Sequence, residues 1–208
     1  MHKALEVGIN FFGTANVYSL GASEAVLGTG PPDFVRREED VIVTKVQGRM
    51  RAGPNGGGSR AGRSWARSAR ASGGWAQTIW TWTRFNGGTR STPTEETMEA
   101  LHDVVRSGKA RYIGAFALWA WQLQRALHGA ETHGWTRFAL VQNRLDLSHR
   151  GEVREMLPLC RLEKIGVISY GLPASGRLTR SGSPKRTLLA ETDQIATRRY
   201  GANRPAGD

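Results

Sequence analysis

Five histidines and a single cysteine are the side chains of this 208-residue chain that most often bind metals or act as nucleophiles. The histidines show none of the spacings that are typical of zinc sites, and we interpret them as surface residues. Cys160 lies on an amphipathic stretch and is interpreted as a small buried residue. One cysteine excludes an internal disulfide, so a reducing, cytoplasmic setting is expected. The sequence therefore predicts neither a metal centre nor a cysteine nucleophile.

Two further residues, Tyr18 and Lys45, have side chains that can take part in proton transfer. A lone tyrosine and a lone lysine predict nothing in a chain of this size, so their meaning depends on the elements around them. Tyr18 follows the apolar run 9–15, which predicts a buried strand. Lys45 lies within 40–46, a run rich in β-branched residues that predicts a second strand.

The rest of the chain alternates such strands with helical patterns. Further strands are predicted to begin near residues 112, 138 and 166, and helices are predicted over the ranges 22–34, 94–107, 118–132 and 151–164. This alternation predicts a parallel sheet with right-handed crossovers. One gap of about 70 residues remains, and a strand within it would restore a repeat of roughly 30 residues. Such a repeat fits either a doubly wound sheet or a (β/α)₈ barrel.

Several motifs of this chain are similar to those of one enzyme family. Residues 8–24 read GINFFGTANVYSLGASE and resemble the aldo-keto reductase motif around the second barrel strand. The agreement extends to the third, fifth, sixth and seventh family strands and to the helix after the fourth, at residues 41–45, 109–115, 141–143, 166–176 and 92–101. The resemblance covers roughly residues 1–58 and 91–200.

The resemblance implies an α/β fold, an incomplete (β/α)₈ TIM barrel. Matched to the family, the chain begins within the first helix and ends before the eighth unit, so the first and eighth units are expected to be lacking. Residues 1–180 would form the partial barrel, and residues 181–208 an irregular tail. Family members bind much of the adenosine and its phosphate at the eighth unit.

The resemblance also implies a chemistry. Members of the family use NADPH to reduce a carbonyl group, while a tyrosine donates a proton to the carbonyl oxygen. By this resemblance Tyr18 is the acid and Lys45 its partner, whose ammonium would lower the pKa of the tyrosine. Both would lie at the carboxyl ends of strands, where the active sites of barrels form.

The resemblance further implies a cofactor site with both retained and altered positions. Gln142 would contact the nicotinamide amide and Tyr170 would stack on its ring, followed by Leu172 and Gly176 as further cofactor-binding residues. Gly13 stands where the family has an aspartate, and the family's histidine has no counterpart. Phe116 and Ala117 replace polar side chains that bind the nicotinamide amide, so impaired activity is expected.

Residues 59–90, which we call the anomalous segment, do not resemble the family. From residue 47 to residue 91 the chain has eight arginines and no acidic residue, and without these eight its net charge would fall from +11 to +3. Codons for a fourth-strand peptide of the family, read one base later, give Gly-Gly-Trp-Ala-Gln-Thr-Met-Trp, which is close to GGWAQTIW at residues 73–80. We therefore interpret the segment as frameshifted, with the fourth strand and its histidine lost.

Two other interpretations of the anomalous segment stay open. Segments rich in arginine, glycine and aromatic residues can bind RNA, although nucleic acid is the less favoured partner. The segment could also be a surface loop, although the alternation of threonine and tryptophan from residue 78 onward could still pair as a strand.

Three functions follow from the sequence. The first is an NADPH-dependent carbonyl reductase acting on a small-molecule carbonyl substrate, with impaired activity. The second is a non-catalytic remnant of a decayed gene, and the third is RNA binding through residues 59–90. No apolar run reaches the roughly 20 residues of a membrane helix, so no membrane partner is expected. The sequence predicts no particular oligomeric state.

Overall fold

A computed structural model of the chain describes residues 2–28, 40–46, 78–83, 93–176 and 178–179. Most of the anomalous segment and the whole of the predicted tail at 181–208 lie outside these residues. The frameshift and RNA-binding interpretations therefore remain predictions. The part of the anomalous segment that is described, residues 78–83, forms a strand.

Six strands form one parallel sheet in which each strand pairs with the next one along the chain. A doubly wound sheet reverses its strand order at a switch point, and the six described strands show no reversal. The predicted α/β class with a parallel sheet is confirmed, and the doubly wound alternative is wrong for these strands. The strands are β1 (Phe11–Gly13), β2 (Val41–Val46), β3 (Thr78–Thr83), β4 (Tyr112–Phe116), β5 (Phe138–Arg144) and β6 (Gly166–Tyr170).

The strand within the long gap is β3, which lies between β2 and β4. Its Thr81 is in register with Lys45 of β2 and with Gly114 of β4. The alternation of threonine and tryptophan thus correctly indicated a strand. The spacing of the other strands had left one vacant place in the repeat, and β3 fills it.

Within the described residues five helices accompany the sheet, and none of them is long and apolar enough to cross a bilayer. Glu95 and Glu96 lie in the first turn of the third helix, where carboxylates interact favourably with the helix dipole. Gly108 and Gly134 follow the third and fourth helices with positive φ angles of 71° and 67°, as expected for helix-terminating glycines. The helices are α1 (His2–Glu6), α2 (Ala22–Gly28), α3 (Thr94–Arg106), α4 (Ala120–His133) and α5 (Met156–Leu162).

The single helix predicted over 151–164 is wrong. The structure has a 3₁₀ turn at Gly151–Val153 and begins α5 only at Met156. Pro158 explains the interruption, because it has no backbone N–H to bond to the carbonyl of Arg154. A proline is tolerated only within the first turn of a helix, which is where α5 places it. Other predicted bounds differ from the observed ones by a few residues, with the first strand shortened from 9–15 to Phe11–Gly13. The predicted helix 22–34 is observed over Ala22–Gly28, and its remaining part lies outside the described residues.

The main hydrophobic core lies between one face of the sheet and helices α3, α4 and α5. Ile113, Ala115 and Val141 contribute from the strands, and Cys160 is buried there as predicted. Fully burying an aliphatic side chain contributes about 1.5–3 kcal/mol, so this layer supplies much of the stability of the described fold. The helical contribution comes mainly from Met98, Leu101, Val104, Leu123, Ala126, Leu127, Ala130 and Met156.

Candidate active site

The face of the sheet that is turned away from the helices carries a second, smaller cluster. Val43 and Leu140 are buried there, with Val41 and Ile168 packed against them. Side chains alternate between the two faces along a strand, so Lys45, two residues after Val43, lies on this same face. By the same rule Tyr170 follows Ile168 on β6. We call this surface the inner face.

Phe116 reaches the inner face from β4. The residue before it, Ala115, belongs to the core on the helix side, so Phe116 points the opposite way. Lys45, Phe116 and Tyr170 all stand at or next to the carboxyl ends of their strands. In parallel sheets these ends lie at one edge, and this edge is where ligands bind in α/β folds.

Tyr18 is brought to the same edge by the loop that follows β1. The backbone N–H of Thr14 donates to the carbonyl of Val43 at 2.7 Å, and that of Asn16 donates to the carbonyl of Lys45 at 3.0 Å. These two bonds hold the loop against β2. Tyr18 then begins a 3₁₀ turn, Tyr18–Gly21. Its ring centroid lies 5.1 Å from Nζ of Lys45.

The four side chains form one contiguous cluster. Nζ of Lys45 also lies 5.5 Å from the ring centroid of Phe116, so the amine faces two aromatic rings. Phe116 in turn stacks on Tyr170, with centroids 5.3 Å apart and ring planes inclined by 23°. The structure therefore brings together three of the sequence-predicted site residues, Tyr18, Lys45 and Tyr170. It joins them through Phe116, which the sequence had marked as a departure from the family.

Burial dominates the electrostatics of Lys45. Its side chain is only 7% exposed, and this burial lowers its pKa to about 8 from an ordinary 10.5, because the charged ammonium loses hydration. Within the described residues no carboxylate forms an ion pair with it. The amine is still mostly charged at neutral pH, and it loses its proton within the mildly alkaline range.

The pKa of Tyr18 departs from the expectation. The resemblance implied that Lys45 would lower it, but partial burial raises it, and the negative charge of an ionised Tyr170 raises it further. The order in which the two groups titrate explains the difference. Lys45 becomes neutral near pH 8, before a tyrosine of ordinary pKa near 10 begins to ionise. No ammonium then remains beside Tyr18 to stabilise its phenolate.

The other predicted cofactor residues lie beside the cluster. Gln142 of β5 is half-buried, and it is in register with Phe116 on one side and with Ile168 on the other. Leu172 is 59% exposed in the segment after β6. Gly176 ends a 3₁₀ turn in that segment, with φ at +86°, and its N–H donates to the carbonyl of Pro173 at 2.8 Å. The structure thus places Gln142 next to the four-residue cluster, and it places Leu172 and Gly176 in the segment that follows β6.

A partly buried ion pair at this edge was not found from the sequence. Arg144, in register with Tyr170, donates from Nε and Nη2 to Oδ2 of Asp146 at 3.0 Å and 2.9 Å. The other carboxylate oxygen accepts bonds from the backbone N–H and the hydroxyl of Ser148. An arginine and an aspartate two residues apart, directly after a predicted strand, are the signal that could have revealed it. No group of three or more metal-binding side chains occurs in the described part of the chain.

Comparisons of the sequence with known proteins show the family of the chain. The sequence model of the Aldo/keto reductase family matches residues 1–203. The aldo-keto reductase dtxS3 of Metarhizium robertsii is 34% identical over 206 residues, which cover 86% of this chain and 55% of that protein. The versiconal hemiacetal acetate reductase of Aspergillus parasiticus is 34% identical over 210 residues, covering 93% and 61%. The aldo-keto reductase AFTS1 of Alternaria alternata is 50% identical over 88 residues, covering 42% and 24%. The chain thus spans less than two thirds of the length of these relatives.

Proposed function

Because this chain belongs to the aldo/keto reductase family, whose members generally use NADP(H), we propose that it carries the proton-transfer site of an NADPH-dependent carbonyl reductase. Tyr18 is the proton donor and Lys45 is its partner. The observation that carries the proposal is the distance of 5.1 Å between Nζ of Lys45 and the ring of Tyr18, at the carboxyl edge of the sheet. The substrate class is a small carbonyl compound.

The pKa values of the pair bear on the two roles in different ways. Tyr18 is protonated at neutral pH, so a proton is available to a carbonyl oxygen within reach, but its raised pKa makes it a weaker acid than a free tyrosine. After the transfer, the phenolate of Tyr18 carries a negative charge that is partly shielded from water. Lys45 is mostly an ammonium ion below pH 8 and favours that phenolate. Lys45 thus acts as the electrostatic partner of the acid.

The inner-face residues fit the nicotinamide end of the cofactor. Tyr170 supplies an aromatic surface, and Gln142 supplies an amide that can both donate and accept hydrogen bonds. When bound, NADPH supplies the hydride. Leu172 and Gly176 follow Tyr170 at the same edge of the sheet, and we assign them as further residues that contact the cofactor. Phe116 covers part of Tyr170, so the stacking surface is smaller than a free tyrosine would offer.

We further propose that the six strands are part of a (β/α)₈ barrel. Their sequential parallel order is the one that a barrel has, and helices α3, α4 and α5 all pack on the same face of the sheet. The inner face then corresponds to the barrel interior. This arrangement explains why the cluster lies at the carboxyl edge, opposite the helices.

The activity we expect is weak. Gly13 provides no carboxylate to hold Lys45 charged, and Phe116 takes a place beside Tyr170 that would otherwise be open to a cofactor ring. The same two observations favour the second candidate, a remnant that binds no cofactor. Titration with NADPH separates the two, because tryptophan fluorescence would be quenched by cofactor bound to an enzyme and unchanged in a remnant.

The catalytic assignment is tested by comparing two tyrosine substitutions. NADPH oxidation is followed with benzaldehyde as the carbonyl probe, for the unsubstituted chain, for Tyr18→Phe and for Tyr112→Phe. Tyr112 is an exposed tyrosine on β4 and serves as the matched control. Loss of a general acid reduces turnover about 10²- to 10⁴-fold, so Tyr18→Phe should lose nearly all activity while Tyr112→Phe retains it. Equal rates in the two variants would refute the assignment.

A further inference from the structure

The amine of Lys45 has surroundings that differ from those of an ordinary lysine. Two aromatic rings face it at 5.1 Å and 5.5 Å, and the side chain is almost entirely buried. No ion pair with a carboxylate holds it within the described residues. Gly13 is in register with Val43 on the neighbouring strand, so it lies on the inner face, as Lys45 does. A Cβ built there meets no described atom within 4 Å, which leaves open space at Gly13 on the strand beside β2.

We propose that Lys45 is a carbonyl-reactive amine that condenses with a small aromatic or aliphatic aldehyde to form a Schiff base. The lone pair of Nζ attacks the aldehyde carbon, and the C–O double bond opens to a carbinolamine. Loss of a hydroxyl group with one proton then gives water and the imine, so atoms balance without any oxidant or reductant. The phenol of Tyr18, 5.1 Å from Nζ by its ring centroid, can supply the proton to the departing hydroxyl. This activity needs no NADPH and goes beyond the proposed reductase.

The arrangement of the rings selects the class of aldehyde. Tyr18 and Phe116 both present aromatic faces to the amine, and Val43 and Leu140 continue the apolar surface along the inner face. An apolar aldehyde can bury its hydrocarbon part there while its carbonyl carbon meets Nζ. A charged aldehyde would lose its hydration without gaining a partner from these four residues. Tyr18 is 46% exposed, so this side of the cluster is open to solvent.

The protonation state of Lys45 makes the reaction selective. Only the free amine is a nucleophile. With a pKa of about 8, roughly one fifth of Lys45 is free amine at pH 7.4, against roughly one in a thousand for a lysine of ordinary pKa. The cation–π contacts with the two rings favour the ammonium and reduce the fraction of free amine. Lys45 should therefore react well ahead of the exposed lysines.

The test is labelling of the whole chain with benzaldehyde in the absence of NADPH. Samples are incubated at pH 7.4, reduced with borohydride to trap any imine as a benzyl amine, and mapped by peptide mass spectrometry. Lys3, Lys109 and Lys164 are exposed and act as internal controls in the same sample. We expect Lys45 to be labelled at least tenfold more than any of them. Labelling of Lys45 equal to or below that of the exposed lysines would overturn the proposal.

A pair of matched variants tests the cause of the reactivity. Gly13→Asp adds a carboxylate on the side of Lys45, which should raise the pKa of the amine and reduce its labelling about tenfold at pH 7.4. Gly13→Asn adds nearly the same volume without the charge and should leave the labelling close to that of the unsubstituted chain. Equal labelling of Lys45 in the two variants would also overturn the proposal. Because NADPH is absent throughout, failure of this test leaves the reductase proposal to its own experiment.

Discussion

Phe116 stacks on Tyr170 across the inner face, with ring centroids 5.3 Å apart and planes inclined by 23°. The two residues belong to β4 and β6, which β5 separates, so only long side chains can meet over this distance of roughly 10 Å between the strands. The stack covers one surface of the tyrosine that we propose for the nicotinamide ring. If Tyr170 stacks on the nicotinamide ring as we propose, Phe116 competes with the cofactor for this aromatic surface.

This competition predicts that removing the ring of Phe116 strengthens cofactor binding. Phe116→Ser exposes Tyr170, while Phe116→Tyr keeps an aromatic ring in place and is the control. An aromatic pair contributes about 0.5–1.5 kcal/mol beyond its buried area, so the serine variant should bind NADPH roughly 2- to 13-fold more tightly. Titration of tryptophan fluorescence measures both dissociation constants. Weaker binding by the serine variant than by the tyrosine variant would contradict the prediction.

The pKa of Lys45 predicts how the reductase rate depends on pH. Below pH 8 the ammonium is present and favours the phenolate that Tyr18 becomes, whereas above pH 8 the amine is neutral and this effect is lost. NADPH oxidation with benzaldehyde should therefore fall as the pH rises through about 8. Lys45→Arg keeps its charge at every pH in this range and should remove the fall. A wild-type rate that increases steadily from pH 7 to pH 9 would rule out this role for Lys45.

Burial of the Lys45 ammonium also predicts a cost in stability at neutral pH. The folded chain binds fewer protons than the unfolded chain between pH 8 and 10.5, so stability rises with pH across this window. Lys45→Met removes the buried charge and should stabilise the chain by about 1–3 kcal/mol at pH 7, with the gain disappearing above about pH 10.5. Urea unfolding at several pH values measures the difference. Lys109→Met, at an exposed position, is the control and should change stability by less than about 0.5 kcal/mol.

The sequence was sufficient to predict which parts of the chain would meet, because motifs and strand order determine the edge at which strands end. Tyr18, Lys45 and Tyr170 were predicted as site residues from their resemblance to the family's motifs, and they lie in one cluster. Their interactions could not be predicted in the same way. The shift of the Tyr18 pKa depends on how deeply the ring and Lys45 are buried, and burial is a property of the packed fold.

Two other differences between prediction and structure have local causes. The interruption of the predicted 151–164 helix could have been predicted from the sequence, since Pro158 lacks the backbone N–H that a continuous helix requires. The stack of Phe116 on Tyr170 could not have been predicted from the sequence, since it depends on the rotamers that both side chains adopt across β5. Departures from a family motif indicate a changed site, and they do not indicate which new contact replaces the old one.

The position of Phe116 depends on a close approach between β4 and β5 two residues earlier. A Cβ added at Gly114 would lie 2.7 Å from Cδ1 and 3.1 Å from the carbonyl oxygen of Leu140, and the pairing of the two strands is irregular at this point. Only glycine lets the strands come this close, which sets Phe116 and Gln142 in register above it. Gly114→Ala should therefore destabilise the chain by about 1–3 kcal/mol, since the backbone oxygen cannot move aside like a flexible side chain.

Gly129 provides the matched control for this substitution. It lies in helix α4, where an added Cβ meets no atom within 4 Å, so Gly129→Ala should stabilise the chain by up to about 1 kcal/mol through helix propensity. Urea unfolding of both variants separates a steric effect from a general effect of adding a methyl group. Gly114 also determines the position of Phe116, one of the two rings beside Lys45. Gly114→Ala should therefore change the amount of benzyl label on Lys45, whereas Gly129→Ala should leave it unchanged. Equal stability of the two variants would mean that β4 and β5 do not approach each other as closely as the structure places them.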